Sequence, residues 1–153
     1  MPVLVDTGIL LRVFVKADPN CVPIRTALLQ LRRQNQELIV TFQNVAEFFN
    51  VSTRPFSARG GYGLPATTVQ ARVSFIERIC VRVAEDDRSY QQWKRLTSKY
   101  NFAGVAVHDA RLVAIMLTHG IKQVLTINDR DFRRYEPEGI GVLTPQMLID
   151  STV

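Results

Sequence analysis

The chain has 153 residues, 46% hydrophobic and 22% charged, a balance that suits one packed globular domain over residues 1–153 and argues against disorder. Its apolar runs fall far short of the ~18 residues of a membrane-spanning helix. Met1-Pro2-Val3-Leu4-Val5-Asp6 has no basic segment ahead of an apolar one, so no signal peptide is expected.

Two distant cysteines, Cys21 and Cys80, with no Cys-x-x-Cys or Cys/His pairing, argue against a disulfide framework and a zinc site and fit a reducing cytoplasm. The net charge is +5, and 15 of the 19 basic residues are arginine. Arginine grips phosphate with paired hydrogen bonds, so the charge fits an anionic partner such as nucleic acid or an acidic protein. Solubility alone accounts for it equally well.

The elements alternate in type along the chain. Val3-Leu4-Val5 reads as a short buried strand. Asp18-Pro19 offers an N-cap and first-turn proline for a helix with Ile24, Ala27, Leu28 and Leu31 at helical spacing. Leu38-Ile39-Val40 is a second strand, followed by a helical stripe of Phe42, Val45, Phe49 and Ser52. Arg54 to Pro65, with three glycines and two prolines, predicts a mobile loop without a phosphate-binding fingerprint. Thr67-x-x-Gln70 resembles a capping box for a helix through Val69, Val73, Ile76 and Cys80.

A strand within Ile79–Ala84 comes next, and then a helix capped at Asp86 or Asp87 that carries Tyr90, Trp93, Leu96 and Tyr100. Ala106, Ala110, Val113, Ala114 and Leu117 mark another helix, stopped at Gly120. Gln123 to Thr126 and Ile140 to Leu143 read as strands, and Thr144-Pro145 caps a short final helix. Short apolar strands alternating with helices imply a parallel α/β sheet covered on both faces.

In such sheets ligands gather at the carboxyl ends of the strands. Asp6 ends the first strand, Glu47 lies in the apolar stretch Asn44–Phe49, Asp109 opens the helix that runs to His119, and Asp129 and Asp131 follow the strand ending at Thr126. Each has a plain alternative: Asp6 and Asp109 as helix caps, Glu47 reaching to solvent, Asp129 and Asp131 as turn residues. Together at one edge they would repel, and a divalent cation is the usual remedy; all-oxygen donors suit Mg²⁺ or Mn²⁺. No serine or cysteine triad is evident. His119 suits a helix-end dipole contact, and His108 lies about 100° around the helix from Asp109.

Leu4-Val5-Asp6-Thr7-Gly8-Ile9-Leu10 resembles the opening strand and aspartate of PIN domains. Asn44-Val45-Ala46-Glu47-Phe48 resembles their helical glutamate segment, and His108-Asp109-Ala110-Arg111-Leu112-Val113-Ala114 their third acidic block. Leu125-Thr126-Ile127-Asn128-Asp129-Arg130-Asp131-Phe132 is similar to their Thr-x-Asn-x-x-acidic-Phe block. The four occur in order over essentially the whole chain, closest to the bacterial VapC-like toxin branch.

The resemblance implies a sheet of order 3-2-1-4-5 and a metal-dependent ribonuclease. Such proteins are usually homodimers, often with a small antitoxin partner. It places Asp6, Glu47 and Asp109 in the three core acidic positions and Asp131 in the fourth, with Asp129 as the alternative. Asn128 becomes a polar helper, and Thr126 orients the site by hydrogen bonding. Arg111 and Arg130, then Arg133 and Arg134, are candidates to meet RNA phosphates. The 54–65 loop is longer than in compact relatives.

A non-catalytic module that binds nucleic acid or antitoxin is the alternative. A phosphate-receiving signalling domain would need a second acidic residue where Thr7 stands and a lysine beyond Lys122, and the chain has neither.

Overall fold

The computed structural model describes residues 1–151. Within them β1 (Pro2–Val5), β2 (Glu37–Thr41), β3 (Val81–Val83), β4 (Gln123–Leu125) and β5 (Gly141–Leu143) form one parallel sheet in the order β3-β2-β1-β4-β5. The helices are α1 (Thr7–Arg12), α2 (Cys21–Arg33), α3 (Phe42–Thr53), α4 (Ala66–Ile79), α5 (Asp87–Tyr100), α6 (Ala106–Thr118), α7 (Asp129–Arg133) and α8 (Pro145–Asp150). Glu136–Glu138 adds a 3₁₀ turn. The expected strand order and α/β class are therefore present.

The two-residue period of the strands divides the core. Val3, Val5, Leu38, Val40 and Leu125 join one apolar cluster with Ile9, Ile24, Leu31, Phe48 and Ile76, from α1 to α4, and with Leu148 of α8. Leu4, Ile39 and Val124 face the other way, against Leu96, Ala110, Val113 and Phe132 from α5, α6 and α7. Both faces of the central strands are buried, which explains why they read as unbroken apolar runs.

Local chemistry sets several boundaries differently from the sequence expectation. Asp18 and Pro19 form a turn in which the Asp18 carboxylate accepts from the Asn20 N–H, so α2 starts at Cys21. Thr67 caps nothing; Pro65 precedes α4, which has no side-chain cap. Phe42, expected on the buried stripe of α3, is 69% exposed, while Gln43, Asn44, Phe48 and Ser52 are buried. Asp86 caps α5 and Thr144 caps α8, as their positions suggested.

The 54–65 segment is a loop, but its backbone is pinned to the end of α3. The N–H groups of Tyr62, Gly63 and Leu64 donate to the carbonyls of Val51, Arg54 and Ser52. Gly61 sits so close to this turn that a β-carbon there would lie 2.3 Å from the Arg54 carbonyl oxygen and 2.4 Å from that of Pro55. Backbone cannot yield as a flexible side chain can. Gly61→Ala is therefore expected to destabilise the fold by about 1–3 kcal/mol, the scale of overpacking, and to lower the melting temperature by several degrees. An unchanged thermal melt would show that the loop adapts.

Candidate functional site

The parallel register puts the ends of β1, β2 and β4 side by side. Asp6 follows β1, and its N–H donates to the Leu125 carbonyl at 3.0 Å. Thr126 follows β4, and its hydroxyl donates to Asp6 Oδ2 at 2.8 Å. Asp6 Oδ1 accepts from the Thr7 N–H at 2.8 Å, so Asp6 is at once the cap of α1 and a member of the edge cluster. The orienting role expected of Thr126 corresponds to a bond in the structure, and its hydroxyl also accepts from the Asn128 N–H at 3.0 Å.

Glu47 is brought to the same edge by the first two turns of α3. Thr41 ends β2 and caps that helix reciprocally with Asn44, which fixes how α3 leaves the sheet. Gln43 and Glu47 are four residues apart on one face. The Gln43 amide donates to Glu47 Oε1 at 2.8 Å and to the His108 carbonyl at 3.0 Å, joining α3 to α6 beside Asp109. The Thr7 hydroxyl donates to Glu47 Oε2 at 2.9 Å and accepts from the Asn44 amide at 3.2 Å. Among the described residues no arginine or lysine forms an ion pair with Glu47.

Asp109 is the fourth residue of α6, which opens at Ala106, so it lies within the first turn rather than at the cap. Its carboxyl is pushed up to about 7, first by burial and then by the negative charges of Asp131, Asp6 and Glu47, with Arg134 opposing. Burial also raises the Asp6 carboxyl, against the hydrogen bonds from Thr126 and Thr7, and Glu47 and Asp131 add to the rise. Asp6, Glu47, Asp109 and Asp131 thus share one electrostatic neighbourhood.

Asp129 lies apart from them. Its Oδ2 accepts from Arg133 Nε at 2.8 Å, and that bond holds its carboxyl below the usual range. Both aspartates sit on α7, so the alternative of plain turn residues does not describe them.

The donor set is anionic and all oxygen, which fits Mg²⁺ or Mn²⁺. Among the described residues no three His, Cys, Asp or Glu side chains converge tightly enough to cage a bare ion. A cation that keeps most of its waters and takes one or two carboxylates directly suits such an open set.

The arginines are placed unevenly. Arg111 is held by Glu85 through three hydrogen bonds, of 3.0, 3.1 and 2.6 Å. Arg130 is exposed on α7. The His119 ring lies 2.6 Å from the Ala84 carbonyl.

Thr7, Gln43 and Asn44 were not singled out from the sequence. The available signals were the Thr41-x-x-Asn44 cap pattern and the Gln43/Glu47 spacing of four.

The raised Asp109 carboxyl links stability to pH. In the unfolded chain it titrates near 3.8, in the folded protein at about 7. Between those values the folded state holds a proton that the unfolded state has released, so stability falls as pH rises through the window. Asp6 acts in the same sense. Glu138, held at about 2 by Arg95 first and also by Lys99, titrates below the window. In EDTA the protein is expected to melt at a higher temperature near pH 5 than near pH 8, with Asp109→Asn flattening the difference. Equal pH dependence in wild type and variant would show that Asp109 titrates normally.

No curated protein matches the chain in sequence. Three solved structures share its fold at low identity. VapBC2 from Rickettsia felis, bound to a DNA fragment from its promoter, superposes with a TM-score of 0.68 at 10% identity, covering 94% of this chain and 98% of that one. VapBC-1 from nontypeable Haemophilus influenzae gives 0.65 at 14%, covering 95% and 99%. VapC20 of Mycobacterium tuberculosis, a toxin that cleaves the sarcin–ricin loop, gives 0.56 at 15%, covering 80% and 86%. The PIN domain family matches residues 3–137, and with its sheet order and its acidic edge the chain belongs to that family.

Proposed function

We propose that this protein is a ribonuclease that hydrolyses RNA phosphodiester bonds with Mg²⁺ or Mn²⁺. We further propose that it is the toxin of a toxin–antitoxin pair, acting in the cytoplasm as a homodimer through one domain spanning residues 1–153. The observation that carries the catalytic reading is the gathering of Asp6, Glu47, Asp109 and Asp131 at one sheet edge, against their mutual repulsion. Such an arrangement is unfavourable in isolation and becomes favourable when a cation enters.

Asp6 and Asp109 would hold the ion directly, with Glu47 and Asp131 completing the set through water. The bound cation would supply Lewis acidity toward a scissile phosphate. Thr126 orients Asp6, and Thr7 and Gln43 orient Glu47, with neutral donors, so their orientation is fixed without cancelling charge. Arg130 and, once released from Glu85, Arg111 would meet the phosphates on either side.

The purified protein is expected to cleave single-stranded RNA with Mg²⁺ or Mn²⁺ and to stop in EDTA. Asp6→Asn and Asp109→Asn should each abolish cleavage while keeping the fold. Asp131→Asn should cost about 10–100-fold, and Asp129→Asn, whose carboxylate is occupied by Arg133, much less. Cleavage that persists in EDTA with contaminating nuclease excluded would refute the metal-dependent reading. RNA binding without cleavage would favour the non-catalytic alternative.

The surface that suits an antitoxin is an apolar cavity of about 380 Å³ between the end of α1, α2 and α4. Val13, Leu28, Phe75 and Ile79 line it, and Arg25 and Arg32 rim it. Its charge complements an amphipathic segment with carboxylates beside its apolar face. Leu29, on the same wall and 55% exposed, offers a test. Leu29→Asp should weaken co-purification with the product of a neighbouring small reading frame and leave RNA cleavage intact. Unchanged co-purification would move the partner elsewhere.

A further inference from the structure

The turn of α6 that carries Asp109 is reached from two other helices. The two residues before Asp109 each use their backbone carbonyl to accept a side-chain hydrogen bond. The His108 carbonyl accepts from the Gln43 amide of α3 at 3.0 Å, and the Val107 carbonyl accepts from the Trp93 indole of α5 at 2.9 Å. Each of these donors brings an exposed aromatic ring with it. Phe42 directly precedes Gln43 at the start of α3 and is largely exposed. Tyr90 stacks on Trp93, with centroids 6.2 Å apart and planes 21° from parallel, and is half exposed. The Lys94 ammonium lies 5.7 Å from the Tyr90 ring centroid. Val105, the N-cap of α6 itself, is exposed as well.

Single exposed apolar residues are ordinary on a protein surface. These border one turn, the one that holds Asp109. Neither Phe42 nor Tyr90 belongs to either apolar cluster of the core, so burial on folding does not account for them. An exposed ring is a stacking surface for an unpaired base: every base has a π face, and a nearby cation meets the backbone. A base inside a duplex is already stacked and offers no free face. The position favours RNA over a protein segment, because an occupant here stands beside Asp109, where the scissile phosphate would lie.

We propose that Phe42 and the Tyr90–Trp93 pair are stacking platforms for unpaired bases near the scissile phosphate, so that the protein selects single-stranded RNA over duplex. The proposal rests on the acidic edge being a ribonuclease site.

Trp93 is the one tryptophan of the chain, so its fluorescence reports on the pair. The test uses an Asp6→Asn background with Mg²⁺, to keep the RNA intact. A single-stranded RNA oligonucleotide should quench Trp93, and a duplex of the same sequence should bind about tenfold more weakly or worse. Phe42→Ala, Phe42→Leu and Tyr90→Ala should each weaken single-strand binding about tenfold, the scale of one lost base stack. Phe42→Tyr should keep the affinity, and all four variants should melt with their parent. Unchanged affinity in Phe42→Ala and Tyr90→Ala, or equal affinity for the duplex, would overturn the platforms. Full affinity in Phe42→Leu would do the same for Phe42, since apolar bulk would then suffice. So would a loss of affinity that comes with a lower melting temperature or a changed oligomeric state, because the ring would then pack against its own chain or a second copy. In each of these cases, RNA cleavage by the wild-type protein would leave the ribonuclease reading standing. A wild-type protein that neither binds nor cleaves RNA would overturn that reading and the platforms with it.

Discussion

Leu4 pairs with Ile39, and Val5 pairs with Leu125. From this register follow both the core and the acidic edge. Val3 and Val5 must face one helical layer and Leu4 the other, so a slip of one residue would turn every apolar side chain of β1 to the wrong side. The same slip would carry Asp6 away from Thr126. The energy that fixes the position of the carboxylate thus comes mostly from apolar burial several residues away. The loops at the acidic edge inherit their precision from strands that lie outside it.

Charge is distributed with a clear division. Several carboxylates away from the edge have cationic partners: Glu138 takes Arg95 and Lys99, Glu85 takes Arg111, and Asp129 takes Arg133. Asp6 and Glu47 at the edge are braced instead by hydroxyls, an amide and a backbone N–H. A guanidinium in their place would hold the geometry equally well but neutralise the field. Neutral donors preserve a negative potential at the one edge where the sheet leaves room for a ligand.

Much of this was legible in the sequence because the relevant signals are local. Val3-Leu4-Val5 and Leu38-Ile39-Val40 announce buried parallel strands, and an acidic residue directly after a strand announces the edge. The order of the strands came from the family resemblance, since no local pattern encodes which strand is central. The choice between Asp131 and Asp129 as a member of the cluster could not be read from composition. It depends on α7, a helix of five residues whose turn-like sequence hides its period, and on Arg133 reaching back one turn to occupy Asp129. Gln43 escaped notice for a related reason. Its burial depends on α6 lying opposite, a contact between residues 65 positions apart. Phe42 misled in the other direction, because helical spacing says which residues share a face but not where a helix emerges from its strand.

The strand order also shapes how the protein comes into being. β1, made first, occupies the middle of the sheet, yet its neighbour β4 begins at Gln123. During synthesis one flank of β1 can pair with β2 early, while the other stays unpaired until four-fifths of the chain has emerged. An apolar strand with an open edge invites association with other chains. The same delay withholds the acidic edge, since Asp6 gains Thr126 and Asp131 only with that late segment. A nascent chain that stops short of this segment therefore lacks the assembled acidic edge.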